Sequence, residues 1–166
     1  MEKTLKIIRE LKEKGIIKEF AIGGGIAVLY YVEPLLTYDL DIFFIPAEER
    51  IDILCPIYNY LKAKGYQSRR EHLMLEGVPV QFIPAYNDLI EEAVLNSADV
   101  NYGRVKTKIL CLEYLMAIMV ETFRPKDKER IIKILGEAKV DTRKLEKILK
   151  KYGLYERYSK FKADVL

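Results

Sequence analysis

The sequence has a single histidine, His72, and two cysteines, Cys55 and Cys111, far apart along the chain. No Cys-x-x-Cys pair or Cys/His cluster is present. That excludes a structural zinc site and any nucleophilic triad that does not run through His72. Both cysteines stand among apolar residues with helical spacing and read as reduced core residues. Asparagine and glutamine together number six, while Glu, Lys and Ile abound, a bias in the direction of thermophilic proteins. No apolar run approaches the ~18 residues that a membrane-spanning helix needs. Residues 1–20 carry Glu2, Lys3, Lys6, Arg9 and Glu10 on a helical pattern, unlike a signal or transit peptide, so the expected location is the cytoplasm. Repeats and low-complexity linkers are missing, and nothing points to a membrane, haem or flavin.

What is present suits a folded core. The chain has 166 residues, 50% of them hydrophobic and 32% charged, enough for one domain or for a core with a helical extension. The net charge of +3 is unevenly spread. Residues 1–100 hold 11 Lys+Arg against 16 Asp+Glu, and residues 101–166 hold 17 against 9. A front of net −5 and a back of net +8 suggest two surfaces, the second suited to a polyanion or simply a lysine-rich solvated helix face.

Leu5, Ile8 and Leu11 form the stripe of an amphipathic helix over 3–14, stopped by Gly15. Residues 18–22 read as a short strand entering Gly23-Gly24-Gly25, followed by a short helix over 26–33 that ends at Pro34. Residues 39–45 read as a second strand, and Pro46 is expected to open a helix over about 48–64. Residues 68–83 suit a hairpin turning at Glu76-Gly77. That turn pairs Leu75 with Val78, Leu73 with Val80 and His72 with Gln81. It puts Leu73, Leu75, Val78, Val80 and Phe82 on one face and Arg70, His72, Met74 and Gln81 on the other. From Asn87 the pattern is mostly helical, over about 88–95, 107–122, 126–136 and 142–152, with Pro125 at a first helical position and Asp141 as an N-cap. The expected division is a small α/β core over 1–86 and a helical, basic region over 87–166.

Two features carry chemistry. Gly23-Gly24-Gly25 joins a strand to a helix, where bare backbone N–H groups at a helix N-terminus can face a phosphate, or where the glycines merely make a turn. It is neither a Walker A loop, lacking Gly-Lys-Ser/Thr, nor a dinucleotide fingerprint, since Val28 stands where the third glycine belongs. Asp39-Leu40-Asp41 places two carboxylates on one side of a strand, which suits a divalent cation carried on a triphosphate, or else a solvated strand start. For the glycines and the carboxylates to line one cleft, the second strand must run antiparallel to the first.

Phe20-Ala-Ile-Gly-Gly-Gly-Ile-Ala27 followed by Thr37-Tyr-Asp-Leu-Asp-Ile-Phe43 resembles the signature of the nucleotidyltransferase superfamily with the DNA polymerase beta-like fold. The Gly-Gly-x-Ala form, the Thr before the carboxylates and Arg124-Pro-Lys-Asp127 resemble the AbiEii-type branch, the toxins of abortive-infection and toxin–antitoxin systems. The resemblance spans about residues 18–135 and implies an α+β fold: a small mixed β-sheet nucleotidyltransferase core with flanking helices, followed by a helical C-terminal part. It implies Asp39 and Asp41 as catalytic ligands of Mg²⁺ or Mn²⁺, and a nucleotide-binding set of Gly24, Gly25, Thr37, Lys126 and Asp127. It implies transfer of a nucleoside monophosphate from an NTP to an acceptor hydroxyl on RNA (tRNA foremost), a protein or a small molecule, and an antitoxin partner.

Two positions depart from the family pattern. Gln81 stands where the family has its third carboxylate, and an amide is neither an anionic ligand nor a base; a general base is commonly worth ~10²–10⁴-fold. Met119 stands where related proteins often carry a lysine. The hairpin register offers a compensation, with His72 as base and Arg70 as a phosphate contact. Two readings follow: an active metal-dependent nucleotidyltransferase, or a degenerate member that binds a nucleotide, RNA or a partner without turnover.

Overall fold

A computed structural model describes residues 1–32, 37–48, 51–69 and 71–165. Pro34, expected to end the second helix, and Arg70, expected at the phosphate, lie outside the described residues. The elements run α1 (Glu2–Glu13), β1 (Ile17–Ile22), α2 (Gly24–Tyr31), β2 (Leu40–Pro46), α3 (Cys55–Ala63), β3 (Gln67–Arg69), β4 (His72–Leu75), β5 (Val78–Pro84), α4 (Asp88–Leu95), β6 (Ala98–Tyr102), β7 (Val105–Ile109), α5 (Leu112–Thr122), α6 (Pro125–Glu137), α7 (Thr142–Lys151) and α8 (Tyr155–Val165). The strands form one sheet in the order β3-β4-β5-β2-β1-β7-β6. It is mixed: β1 is antiparallel to β2 and parallel to β7, and β2 is parallel to β5. The fold is thus α+β as the sequence implied, and the antiparallel β1–β2 pair is the arrangement that lets glycines and carboxylates meet.

The hairpin forms at Glu76-Gly77, with Leu73 against Val80 and Leu75 against Val78. Both turn residues have positive φ, 51° and 80°, the combination that a two-residue turn of matching twist requires. Asn-Gly is the stronger signal for it, but the apolar alternation on both sides sets the register.

Three expectations are corrected. Of the helix foreseen over 48–64, residues 49 and 50 lie outside the described residues, and among the described ones the helix covers Cys55–Ala63. Pro46 ends β2, and the Asp52 carboxylate accepts from the Cys55 N–H at 3.0 Å, starting the helix there. Residues 107–109, read as helix, belong to a β6–β7 hairpin in the half of the chain expected to be helical. Val105, Thr107 and Ile109 alternate inward on β7, a period of two masked by the leucines that follow. The cysteines are not core residues. Cys55, at the start of α3, is exposed, and Cys111, at the N-cap of α5, is half-buried, packed against the core without being enclosed by it. In addition, α8 continues the chain beyond the Gly153 stop.

One apolar core runs through the molecule, from Leu5 on α1 through β1, β2 and α5 to Tyr158 on α8. The helical part is fastened by Glu92 on α4, whose carboxylate accepts hydrogen bonds from Lys151, Tyr152 and the Tyr114 hydroxyl. The Lys151 and Tyr152 bonds outweigh the cost of partial burial and pull its pKa down to about 2. A depressed carboxyl contributes stability above its unfolded value and loses it as pH falls through the folded one. Glu92→Gln is therefore expected to lower stability at pH 7. Because the side chain is 27% exposed, solvent screening limits the loss to about 1–2 kcal/mol. The deficit relative to the parent should shrink between pH 4.5 and 2, which thermal unfolding across that range would check. A deficit that persists at pH 2 would assign the effect to packing instead.

Candidate active site

Residues of β2, β5, α2, α5 and α6 surround a cleft of about 260 Å³. Its sheet side is built at the β1–β2 turn-in. Gly23 donates its N–H to the Asp41 carbonyl at 2.9 Å and caps α2, so the helix N-terminus is tied to the carboxylate strand. Gly24 has φ +56°, and a Cβ there would lie 1.7 Å from Asp41 Oδ2, so only glycine lets the carboxylate sit against this backbone. A Cβ on Gly25 would meet Thr37 Oγ1 at 2.5 Å and Arg130 Nη2 at 2.9 Å. The Thr37 hydroxyl and the Arg130 guanidinium thus converge on the start of α2.

Asp39, Asp41 and Gln81 line the cleft together, with Gln81 opposite Asp41 in the parallel β2–β5 pair. Asp41 carries the main electrostatic tension. Burial and then the neighbouring Asp39 push its pKa up to about 6, against the pull of Lys126, Arg130 and Arg124. His72 is not among the lining residues. Its Nε2 is buried with no hydrogen-bond partner among the described residues and lies 3.6 Å from Asp39 Oδ2.

The helical wall comes from the α5–α6 junction. Phe123 ends α5 in the left-handed region (φ 50°), and Pro125 opens α6. Asp127, fully buried, accepts from Thr122 Oγ1 at 2.8 Å and from the Arg124 N–H and Nε at 3.1 and 2.8 Å. Burial works to raise its pKa, but these donors outweigh it and hold the carboxyl below the ordinary range. Its contacts are those of a helix cap, and they also engage Arg124. Lys126 and Arg130, four residues apart on α6, both line the cleft and have no ion-pair partner among the described residues. Met119 lines the cleft as an apolar residue.

The site therefore brings together Gly24, Asp39, Asp41, Gln81, Lys126 and Asp127, with Gly25 and Thr37 at its edge. Sequence reading missed Arg130, although its spacing from Lys126 on an expected helix was a usable signal. It also missed Tyr86, which no motif marks.

No family model matches the sequence, and no curated protein matches it. Solved structures do. An antigenic nucleotidyltransferase-like protein from Paracoccidioides brasiliensis is similar at a TM-score of 0.55 and 14% identity, over 80% of this chain and 72% of that one. The fold is nucleotidyltransferase-like. A solution structure of the antibiotic-resistance factor ANT(2'')-Ia is similar at a TM-score of 0.49 and 14% identity, over 99% of this chain and 98% of that one. Among the described residues no helix is long and apolar enough to cross a membrane.

Proposed function

We propose that this chain binds a nucleoside triphosphate together with a divalent cation and transfers its nucleoside monophosphate to an acceptor hydroxyl. The observation that carries this reading is the opposition, across one cleft, of the Asp39/Asp41 pair to the cations Lys126 and Arg130, which have no ion-pair partner among the described residues, beside the α2 N-terminus. A cation and a polyphosphate together satisfy both walls; either alone leaves one charge set facing its like.

Asp41 and Asp39 fit a metal because their mutual repulsion is what a bound cation relieves. Among the described residues no cluster of three or more His, Cys, Asp or Glu side chains suits a metal, so phosphate and water oxygens would complete the shell. That is the habit of Mg²⁺, with Mn²⁺ as its close substitute. Bound there, the ion would neutralise charge on the reacting phosphate. Around it, the Gly24 and Gly25 backbone and Thr37 would receive phosphate oxygens, and Lys126 and Arg130 would offset the charge of the departing pyrophosphate. Arg130 supplies a cation in a cleft where Met119 supplies none.

The acceptor we favour is RNA, tRNA foremost, from the net +8 of residues 101–166; a protein or small-molecule hydroxyl is the alternative. The AbiEii-like motifs add the proposal of a toxin paired with an antitoxin. The division into a catalytic 1–86 and an acceptor-choosing 87–166 belongs to the same proposal.

The test is thermal unfolding with each NTP, with and without Mg²⁺ or Mn²⁺, for the parent and Arg130→Ala. A ligand at 100 times its Kd adds ~2.7 kcal/mol, roughly 5–10 °C for a chain of this size. We expect a metal-dependent shift with at least one NTP that Arg130→Ala reduces. No shift with any NTP would end the reading. The second reading, binding without turnover, is favoured by Gln81, an amide, standing opposite Asp41 on β5. A metal-dependent shift without transfer of labelled nucleotide to RNA or protein would select it.

A further inference from the structure

The cleft is divided along the strands. On β2 the inward residue after Asp41 is Phe43, and on β5 the inward residue after Gln81 is Ile83, with Phe43 and Ile83 paired as Asp41 and Gln81 are. Two residues along a strand is ~6.6 Å. The charged floor thus gives way to an apolar floor about one sugar ring further on. Leu115 and Ile118 of α5 add further apolar side chains to the lining of the same cleft. At its rim stands Tyr86, just beyond β5, whose side chain lines the cleft although the residue is 58% exposed.

Tyr86 is held by its far end. Its hydroxyl lies 3.4 Å from Glu121 Oε2, while the other oxygen of Glu121 accepts from Asn87 Nδ2 at 2.8 Å and Asn87 caps α4 through the Ile90 N–H. The hydroxyl is tethered and the ring remains open to solvent. An exposed aromatic ring at the rim of an apolar half-cleft, next to a charged half-cleft, suits a molecule that is anionic at one end and flat and apolar at the other.

We propose that the apolar half of the cleft is the base subsite for the nucleotide and that Tyr86 stacks on the base. This rests on the nucleotide reading above and deepens it. Recognition by a ring face and aliphatic side chains favours the larger purines over pyrimidines and discriminates weakly among bases of one size. Polyphosphate binding is left to the charged half.

The two halves can be read separately by titrating the chain, with Mn²⁺ present, with ATP, UTP and inorganic tripolyphosphate. We expect ATP to bind more tightly than UTP or tripolyphosphate. Tyr86→Ala should weaken ATP roughly tenfold while leaving tripolyphosphate affinity within twofold, and Tyr86→Phe, which keeps the ring, should restore ATP binding. If ATP binds no better than tripolyphosphate, or if Tyr86→Ala weakens both alike or neither, the base subsite is wrong although the charged half stands. If neither ligand binds the parent, the base subsite falls together with the nucleotide reading.

Discussion

Asp41→Asn is expected to make the protein more stable at pH 8 in the presence of a chelator, while abolishing its metal-dependent response to NTP. The Asp41 pKa stands at about 6 against an ordinary 3.8, chiefly through burial and then through Asp39. A group whose folded pKa is raised contributes its stability fully below the unfolded value and loses it as pH rises through the folded one. At pH 8 the parent thus carries an ionised, poorly solvated carboxylate. Two pKa units correspond to at most about 3 kcal/mol, or roughly 5–10 °C in Tm. Asparagine removes the charge at nearly the same volume. The advantage should fade between pH 6 and 4, where the parent carboxyl protonates. Thermal unfolding over pH 4–8, with and without Mn²⁺ and NTP, reads both effects. If the variant is less stable than the parent at pH 8 without metal, the carboxylate is held by favourable bonds and the tension described here is absent.

Gly24→Ala should be the most damaging small substitution in the cleft. The new Cβ would stand 1.7 Å from Asp41 Oδ2, on a residue whose φ of +56° is strained for any L side chain by ~1–2 kcal/mol. Relief requires Asp41 to swing away or α2 to shift, and either separates the carboxylate pair from the helix N-terminus. We expect NTP affinity in the presence of Mn²⁺ to fall at least ~10²-fold, as befits loss of a charge-assisted contact of ~3 kcal/mol. Gly25→Ala should cost less, since the clashing Arg130 atom is the end of a long side chain that can move, although Thr37 must also yield. Titration of the two variants side by side gives the order. Parent-like binding by Gly24→Ala would show that nucleotide binding does not use this corner.

Much of this corner was legible in advance because its chemistry is local. Gly23 to Gly25 and Asp39 to Asp41 lie within one strand–helix–strand unit, and β-alternation alone puts both carboxylates on one side. The hairpin register was equally accessible, since a one-residue slip would have turned Leu73, Leu75 and Val80 outward. The helical wall was less legible. Arg130 reaches the start of α2 across more than a hundred residues of chain, and only the packing of α6 brings it there. Tyr86 belongs to no pattern; it lies beyond the end of β5, out of step with the Gln81 and Ile83 alternation, and lines the cleft all the same. The β6–β7 hairpin was hidden because a short alternating strand, Val105 to Ile109, runs directly into the leucine-rich start of α5.

That hairpin bears on how the chain is assembled during synthesis. The partner on one side of β1, β2, is complete in the chain by residue 46, but the partner on the other side is β7, where Ile22 stands against Ile109 and the Leu110 N–H donates to the Ile22 carbonyl at 2.9 Å. Until residue 110 has left the ribosome, the flank of β1 beside the glycine turn is an open strand edge in a stretch containing Phe20, Ala21 and Ile22, a template for pairing with another chain. At ~5–20 residues per second, that exposure lasts several seconds, a window in which a nascent chain of this protein has reason to be shielded.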